Sequence, residues 1–293
     1  MIKKAIAVMC MLMLLGVLAA CGTQDAEPIR IGLTIDESNP LRGEAASRAM
    51  AQAMEDFLGI PVEAVLDISY LVGTEAMRAG HLDIMLVSAF NYIHTSSVVD
   101  VELLVSLPIR PGTVNNSVFI TCASREDIQS IADLRGMTAA FVSPTSTSGF
   151  IFPVYHLTST LGLNPDLITN QGYFFDTVTF TGGHEHNIFG VGFGDFDAAA
   201  IGGMFLENME ERGLIDAADF RVIAQTEAVP DPAYIVRSAL GADLIARIRE
   251  FFTQFDDPAY FAENWGDGNI RFGPPDVAGF AYVRSVVNAL GLD

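Results

Sequence analysis

Cysteine is nearly absent from this chain. Its 293 residues include three, Cys10, Cys21 and Cys122, and the first two fall in or beside an apolar N-terminal run. The single cysteine left over can form no internal disulfide, so the fold must stand on its core. A chain of this length can bury such a core and can divide into two lobes. Cys122, inside "SVFITCAS", reads as a small buried hydrophobe, since no His or Asn motif marks it as a nucleophile. Basic residues are also scarce. Sixteen Lys and Arg stand against 36 Asp and Glu, for a net charge of −20. That excess argues against nucleic acid or an anionic lipid surface as a partner. It does not exclude a small anion, because salt screens a global field within about 10 Å of a local donor cluster. Beyond residue 20 no run is long and apolar enough to span a bilayer, and no internal repeat or low-complexity block is present.

The apolar run at the N-terminus is what remains to explain. Lys3 and Lys4 precede a hydrophobic stretch from Ala5 to Val17, and "LAAC" follows at Leu18–Cys21. Residues 1–20 read as a secretory signal. The small residues before Cys21 resemble a bacterial lipobox, which implies that Cys21 becomes the lipidated first residue of the mature protein. The alternative, a transmembrane helix, needs a longer span and flanking stop-transfer charges. Removing the signal subtracts two lysines from the total of −20 and leaves −22. Residues 21–28, "CGTQDAEP", read as a polar tether.

The body of the chain alternates between strand and helix patterns. "IRIGLTI", "VEAVLD" and "LDIMLVS" read as strands, with helices expected over Leu41–Leu58 and Tyr70–Gly80. The pattern restarts after "IRPGTVNN" (Ile109–Asn116). "SVFITCA", "TAAFV", "YFFDTVTF", "FDAAAIG" and "FRVIAQT" read as strands, and "REDIQSIADLRG" as a helical turn. Helices are expected over "GFIFPVYHLTSTLG", from about His184, and over "MFLENMEERG". After "VPDPAYIV" the chain turns mostly helical. Strands alternating with helices point to parallel α/β layers. Breaks near Pro111–Asn116 and Ala228–Pro232 predict two lobes joined by two crossing hinge segments. Residues 29–113 plus 230–293 would form the first lobe and 114–229 the second. Ligands of open α/β sheets sit beyond the carboxyl ends of the strands, which here means the cleft between lobes.

Four loops reach that cleft. In "FVSPTSTSGFIFPVY", Ser146, Thr147, Ser148 and Gly149 lie between a strand and a helix without a Lys or Arg among them. Unsatisfied amides and a partial positive charge at a helix start, together with hydroxyl donors, hold phosphate-like groups without a cation. By itself the loop fits a plain N-cap slightly better. In "TGGHEHN", His184 or the amides around it could donate to an oxyanion. His184, Glu185 and His186 could instead ligate a metal, but neighbours one and two apart share no helix face and further ligands are missing. A surface histidine competes about equally with that metal reading. In "VPDPAYIV", Asp231 sits between two prolines. A carboxylate can only accept, so beside an oxyanion it selects a ligand that keeps an acidic hydrogen and rejects sulfate; the plain alternative is a turn aspartate. Tyr70 in "LDISYLVG" could donate its hydroxyl, although alone it reads better as a core tyrosine.

Taken in order, "ISYLVGTEAMRAGHLDIM", "SPTSTSGFIFPVY", "GGHEHN…GDFDAAAIGG" and "VPDPAYIVR" resemble the substrate-binding lipoproteins of phosphonate, phosphite and phosphate ABC transporters. The resemblance covers Ile29 to Gly291. It implies the type II periplasmic-binding-protein fold, α/β and two-lobed, closing on a ligand without catalysis, cofactor or metal. It carries ligand contact onto Tyr70, Ser146, Thr147, Ser148, His184 and Asp231, with Ser88 and Tyr92 of "SAFNYIH" as further candidates. Two positions depart from the family pattern. Asn115 stands where the family often has a tyrosine. Met204, with Glu207 one turn later, stands where members that bind an aminoalkyl phosphonate carry an acid, which favours phosphite, phosphate or a small alkylphosphonate. The implied partners are a small oxyanion, an ABC permease and, through Cys21, the outer face of the bacterial cell membrane, with the receptor acting as a monomer outside the cytoplasm. A receptor that senses ligand for a membrane signalling partner would need the same cleft. An enzyme on this scaffold is disfavoured by the lack of any nucleophile–base pair.

Overall fold

The computed structural model describes residues 27–33, 44–66, 68–107 and 115–292. The signal segment, Cys21, most of the tether and the 109–114 part of the first break lie outside the described residues.

Two five-stranded sheets organise the chain. The first contains β1 (Ile29–Leu33), β2 (Val62–Leu66), β3 (Ile84–Val87), β4 (Val101–Ser106) and β10 (Ala233–Arg237), in the order β2-β1-β3-β10-β4. The second contains β5 (Asn116–Cys122), β6 (Thr138–Phe141), β7 (Thr177–Phe180), β8 (Ala198–Gly202) and β9 (Phe220–Ala228), in the order β7-β6-β8-β5-β9. Each has three parallel strands followed by one antiparallel strand, β10 or β5. The sheets are therefore mixed rather than purely parallel. The antiparallel strand in each is the one the chain forms as it arrives from the other sheet.

Helices cover the sheets as the apolar spacing dictates. In α1 (Glu44–Leu58), Ala46, Met50, Met54 and Leu58 form the buried stripe, at near-helical spacing. In α2 (Tyr70–Ala79), a Cβ on Gly73 would lie 2.1 Å from Met85 Sδ, so a larger residue there would have to displace the Met85 side chain of β3. Next come α3 (Ala89–Val98), α4 (Phe152–Leu161), α5 (His184–Phe193) and α6 (Gly203–Glu211). The chain closes with α7 (Ala242–Gln254), α8 (Pro258–Trp265) and α9 (Val277–Ala289). One aromatic-rich core joins α1, α7 and α8 to the first sheet through Tyr234, Phe252, Tyr260 and Phe261. A second joins Phe90 and Ile93 of α3 and Phe280 and Val283 of α9 to Phe152 and Phe119. The second core thus spans elements from both halves of the chain.

Several elements depart from the sequence pattern. Helix α3 and strands β4 and β10 carry no clear periodic signal; "AFNYIHTSSV" is rich in aromatic and β-branched residues that favour helix weakly. "YFFDTVTF" is a strand only from Thr177 onward. Phe174 and Phe175 are fully buried in a turn, with rings edge to face at 4.8 Å; an apolar run mimics a strand by pattern alone. Cys122 is half-buried rather than buried, because it ends β5 where the sheet meets solvent, and its Sγ lies 3.0 Å from Ser124 Oγ.

Candidate functional site

The parallel strands of both sheets end on polar loops. Ser88 follows β3, Ser146–Ser148 follow β6, His184 follows β7, and Gly202 ends β8. The antiparallel registers add neighbours at the same edges. Ala233 pairs with Val87, so the chain enters β10 through Asp231 and Pro232 at the end of β3 that Ser88 continues, and Ser117 pairs with Gly202, so Asn115 lies just beyond β8.

The Ser-Thr-Ser loop is held by its own glycine. Residues Thr147–Ile151 form a π-helical turn leading into α4, and Gly149 N donates to Ser146 Oγ at 3.0 Å. A Cβ on Gly149 would come within 2.4 Å of Val142 Cγ2 and 2.8 Å of Ser146 Oγ, so a larger residue would pry the loop from β6. The first amides of such a turn have no intrahelical acceptor. Thr147 Oγ1 accepts 2.9 Å from the amide of Phe90, in the first turn of α3. Asn91 Nδ2 donates to Ser88 Oγ at 2.8 Å and to the Thr145 carbonyl at 3.0 Å. These contacts join a loop of the second sheet to the helix that follows β3 of the first. They bring two helix N-termini, each with a partial positive charge, onto one cluster of hydroxyls.

His184 is fixed in one tautomer. Its Nδ1 accepts 3.1 Å from Gly202 N. An amide nitrogen can only donate, so Nδ1 is bare and the neutral ring carries its proton on Nε2. The ring stacks on Phe205, with centroids 4.0 Å apart and an interplanar angle of 13°. Part of its surface still reaches solvent, but the surrounding desolvation pushes its pKa down to about 3, so it is uncharged at neutral pH. Asn187, fully buried, braces the loop by donating to the Ala200 carbonyl at 2.9 Å and accepting from Thr181 Oγ1 at 2.5 Å. Glu185 pairs with Arg212 at 2.7 Å, and His186 Nδ1 lies 3.3 Å from the Thr181 carbonyl. The three residues of "HEH" thus serve three different partners, and no group that could hold a metal ion occurs among the described residues.

One pattern unites these side chains. Ser88, Ser146, Thr147 and His184 each spend an acceptor position on an N–H donor from the protein. Among the described residues none of the three hydroxyls, nor the His184 Nε2 proton, is donated to another protein group. Groups that could both accept and donate are thereby turned into neutral donors, the chemistry an anion requires.

The other expected residues are placed as follows. Tyr70 opens α2 after its N-cap Ser69, its ring half-buried against the cluster around Met85. Asp231 is half-buried in a loop pinned on both sides: Val229 N donates to the Asn115 carbonyl at 2.7 Å, and Leu107 N to the Pro232 carbonyl at 2.9 Å. Tyr92 meets Phe280 edge to face at 5.2 Å, a packing contact. Met204 is half-buried and Glu207 exposed on α6. Two hollows of about 340 and 400 Å3 are lined by none of the predicted site residues: one is bounded by Glu227, Pro230, Asp276 and Tyr282 and so adjoins Asp231 in sequence, the other by Arg78, Asp100 and Arg237. The sequence reading missed Asn91, Asn187 and Gly202. Only Asn91 left a local trace, a polar residue three positions after a helix-capping serine.

Two sheets of this topology, with polar loops gathered at the carboxyl edges of their strands, define the two-lobed type II periplasmic binding fold. Solved structures agree. PhnD1 from Prochlorococcus marinus, in complex with methylphosphonate, superposes with a TM-score of 0.74 at 17% identity, over 91% of this chain and 99% of that one. A binding protein component of an ABC phosphonate transporter from Pseudomonas aeruginosa gives 0.72 at 18%, over 91% and 87%. The phosphate-import protein PhnD of Mycolicibacterium smegmatis is 25% identical over 235 residues, 75% of this chain and 70% of the relative. Residues 35–274 match the family described as the phosphonate ABC transporter periplasmic substrate-binding protein, and the chain belongs to that family. It is the solute-binding component of an importer and works outside the cytoplasm. No described helix is long and apolar enough to cross a membrane.

Proposed function

We propose that this chain captures a small phosphorus oxyanion (phosphate, phosphite or a short alkylphosphonate) between its two lobes and presents it to a membrane permease. The observation that carries this reading is the shared hydrogen-bond state of Ser88, Ser146, Thr147 and His184: acceptors engaged and, among the described residues, no protein acceptor for their protons. Ser148, Tyr70 and Asn115 complete the donor set. Asp231 reads the remaining acidic hydrogen of the ligand and turns sulfate away by like-charge repulsion. Met204 offers a ligand amine no charge, which disfavours aminoalkylphosphonates. Binding at micromolar concentration corresponds to about 8 kcal/mol. Hydrogen bonds to a charged group contribute roughly 1.5–3 kcal/mol each, so five or six suffice before the entropic cost of association. On this reading the chain binds and releases without chemistry.

Residues 29–113 with 230–293 form one lobe and 114–229 the other, with α9 packed across the seam. Lipidation of Cys21 tethers the receptor, a monomer, to the cell membrane. A thermal-shift and calorimetric panel of phosphate, phosphite, methylphosphonate, aminoethylphosphonate and sulfate tests the reading. The first three should stabilise the protein and the last two should not; no response to any phosphorus anion would end it.

A further inference from the structure

Of the three loop hydroxyls, Ser146 and Thr147 each accept from an amide, whereas Ser148 Oγ has no protein donor among the described residues. Across the floor of the site lies its complement. Ser117 is 0% exposed, and its Oγ is a buried hydroxyl without any hydrogen-bond partner among the described residues. Such a group is costly and uncommon in a folded core.

The backbone of Ser117 is, by contrast, firmly placed. Its amide donates to Thr226 Oγ1 at 3.1 Å, where the β5–β9 register shifts between Asn116 and Val118. Irregularities of this kind re-aim a side chain next to functional sites. Ser117 stands directly opposite Gly202 in the antiparallel register. Opposed residues point to the same face, with Cβ positions about 4.5–5.5 Å apart. A Cβ built on Gly202 would lie 3.3 Å from Ser148 Oγ. An added Cβ there would meet the Phe205 ring at 3.2 Å as well, so glycine lets Ser148 and Phe205 close in on the strand position opposite Ser117.

From this we infer that Ser117 is a positioning residue of the ligand site, donating its hydroxyl proton to Ser148 Oγ when Ser148 turns its own proton onto the bound anion. Ser148 then matches the other site groups: it accepts from within and donates outward. Before ligand binds, Ser117 Oγ has no partner among the described residues, so part of the binding energy comes from completing that bond. Stability is given up in the free state for affinity in the bound one.

This rests on the oxyanion reading, and a double-mutant cycle separates the two. Wild type, Ser117→Ala, Ser148→Ala and the double variant are titrated calorimetrically with methylphosphonate and with phosphate, and melted without ligand. Ser117→Ala should weaken binding about tenfold while its ligand-free melting temperature holds or rises by about 2–4 °C. On the Ser148→Ala background Ser117→Ala should cost less than threefold more, since Ser117 acts only through Ser148. If wild type binds neither anion, the oxyanion reading and this inference both fail. If wild type binds and Ser117→Ala binds equally well, or if the two losses multiply in full, the inference alone is overturned and Ser117 is merely a core hydroxyl.

Discussion

The two edges of the second sheet treat polar groups in opposite ways. Where β6 and β8 begin, every strong group is matched. Asp197 accepts from the Thr138 amide and hydroxyl, each at 2.8 Å, and from Arg125. Thr121 Oγ1 donates to the Asp197 carbonyl at 2.7 Å, and Arg221 donates to three carbonyls of the adjoining turn. Burial raises the Asp197 pKa, but those bonds outweigh it and hold the carboxyl below its ordinary value. Where the same strands end, the groups are neutral, their acceptors are engaged, and among the described residues no protein group accepts their protons. A closed network fixes a structure. An edge with donors left over is poised for something outside the chain. One sheet thus carries a structural clasp at one edge and the proposed ligand site at the other.

The sharpest way to break this contrast is to cut the clasp. Asp197→Ala leaves Arg125 and the Thr138 donors without their acceptor, and should cost roughly 3 kcal/mol of stability, read by urea unfolding. Anion affinity of the folded fraction should hold. At the other edge the effects reverse. Thr147→Ala should weaken phosphate or methylphosphonate binding about tenfold, near 1.4 kcal/mol, with a stability change under about 1 kcal/mol, since one bond to the Phe90 amide is lost. Asp231→Asn should shrink the preference for methylphosphonate over sulfate about fivefold at neutral pH, measured by paired titrations.

The last effect is nil at neutral pH and appears only in acid. Desolvation lowers the folded pKa of His184 to about 3, well below the ordinary histidine value of 6.5. Above pH 6.5 the ring is neutral in folded and unfolded chains alike, and its contribution is fully present. Between 6.5 and about 3 the unfolded chain binds a proton that the folded chain refuses, so stability falls as pH falls. His184→Asn, which keeps an acceptor near the Gly202 amide, should flatten that part of the pH–stability curve relative to wild type.

How much of this was legible beforehand follows the same division. Ser146–Ser148 and His184 could be read because hydroxyls, glycines and a histidine sat between strand and helix patterns, a local signal. The two-sheet plan was legible from alternating elements. Strand β10 was not: "AYIVR" owes its place to pairing with β3 and β4, far away in sequence. The roles of Asn91, Gly202 and Ser117 were hidden for the same reason, since each depends on which strand or loop lies opposite. The contact of Tyr92, a candidate cleft aromatic, with Phe280 was hidden too, because Phe280 comes from the end of the chain.

The most direct test is a crystal structure of the mature chain grown with methylphosphonate. The phosphorus should lie within hydrogen-bonding reach of the Ser146–Ser148 hydroxyls and His184 Nε2, with Asp231 on its remaining side. Density for the anion in the hollow beside Glu227 and Tyr282 instead, with the serine loop bare, would contradict the account.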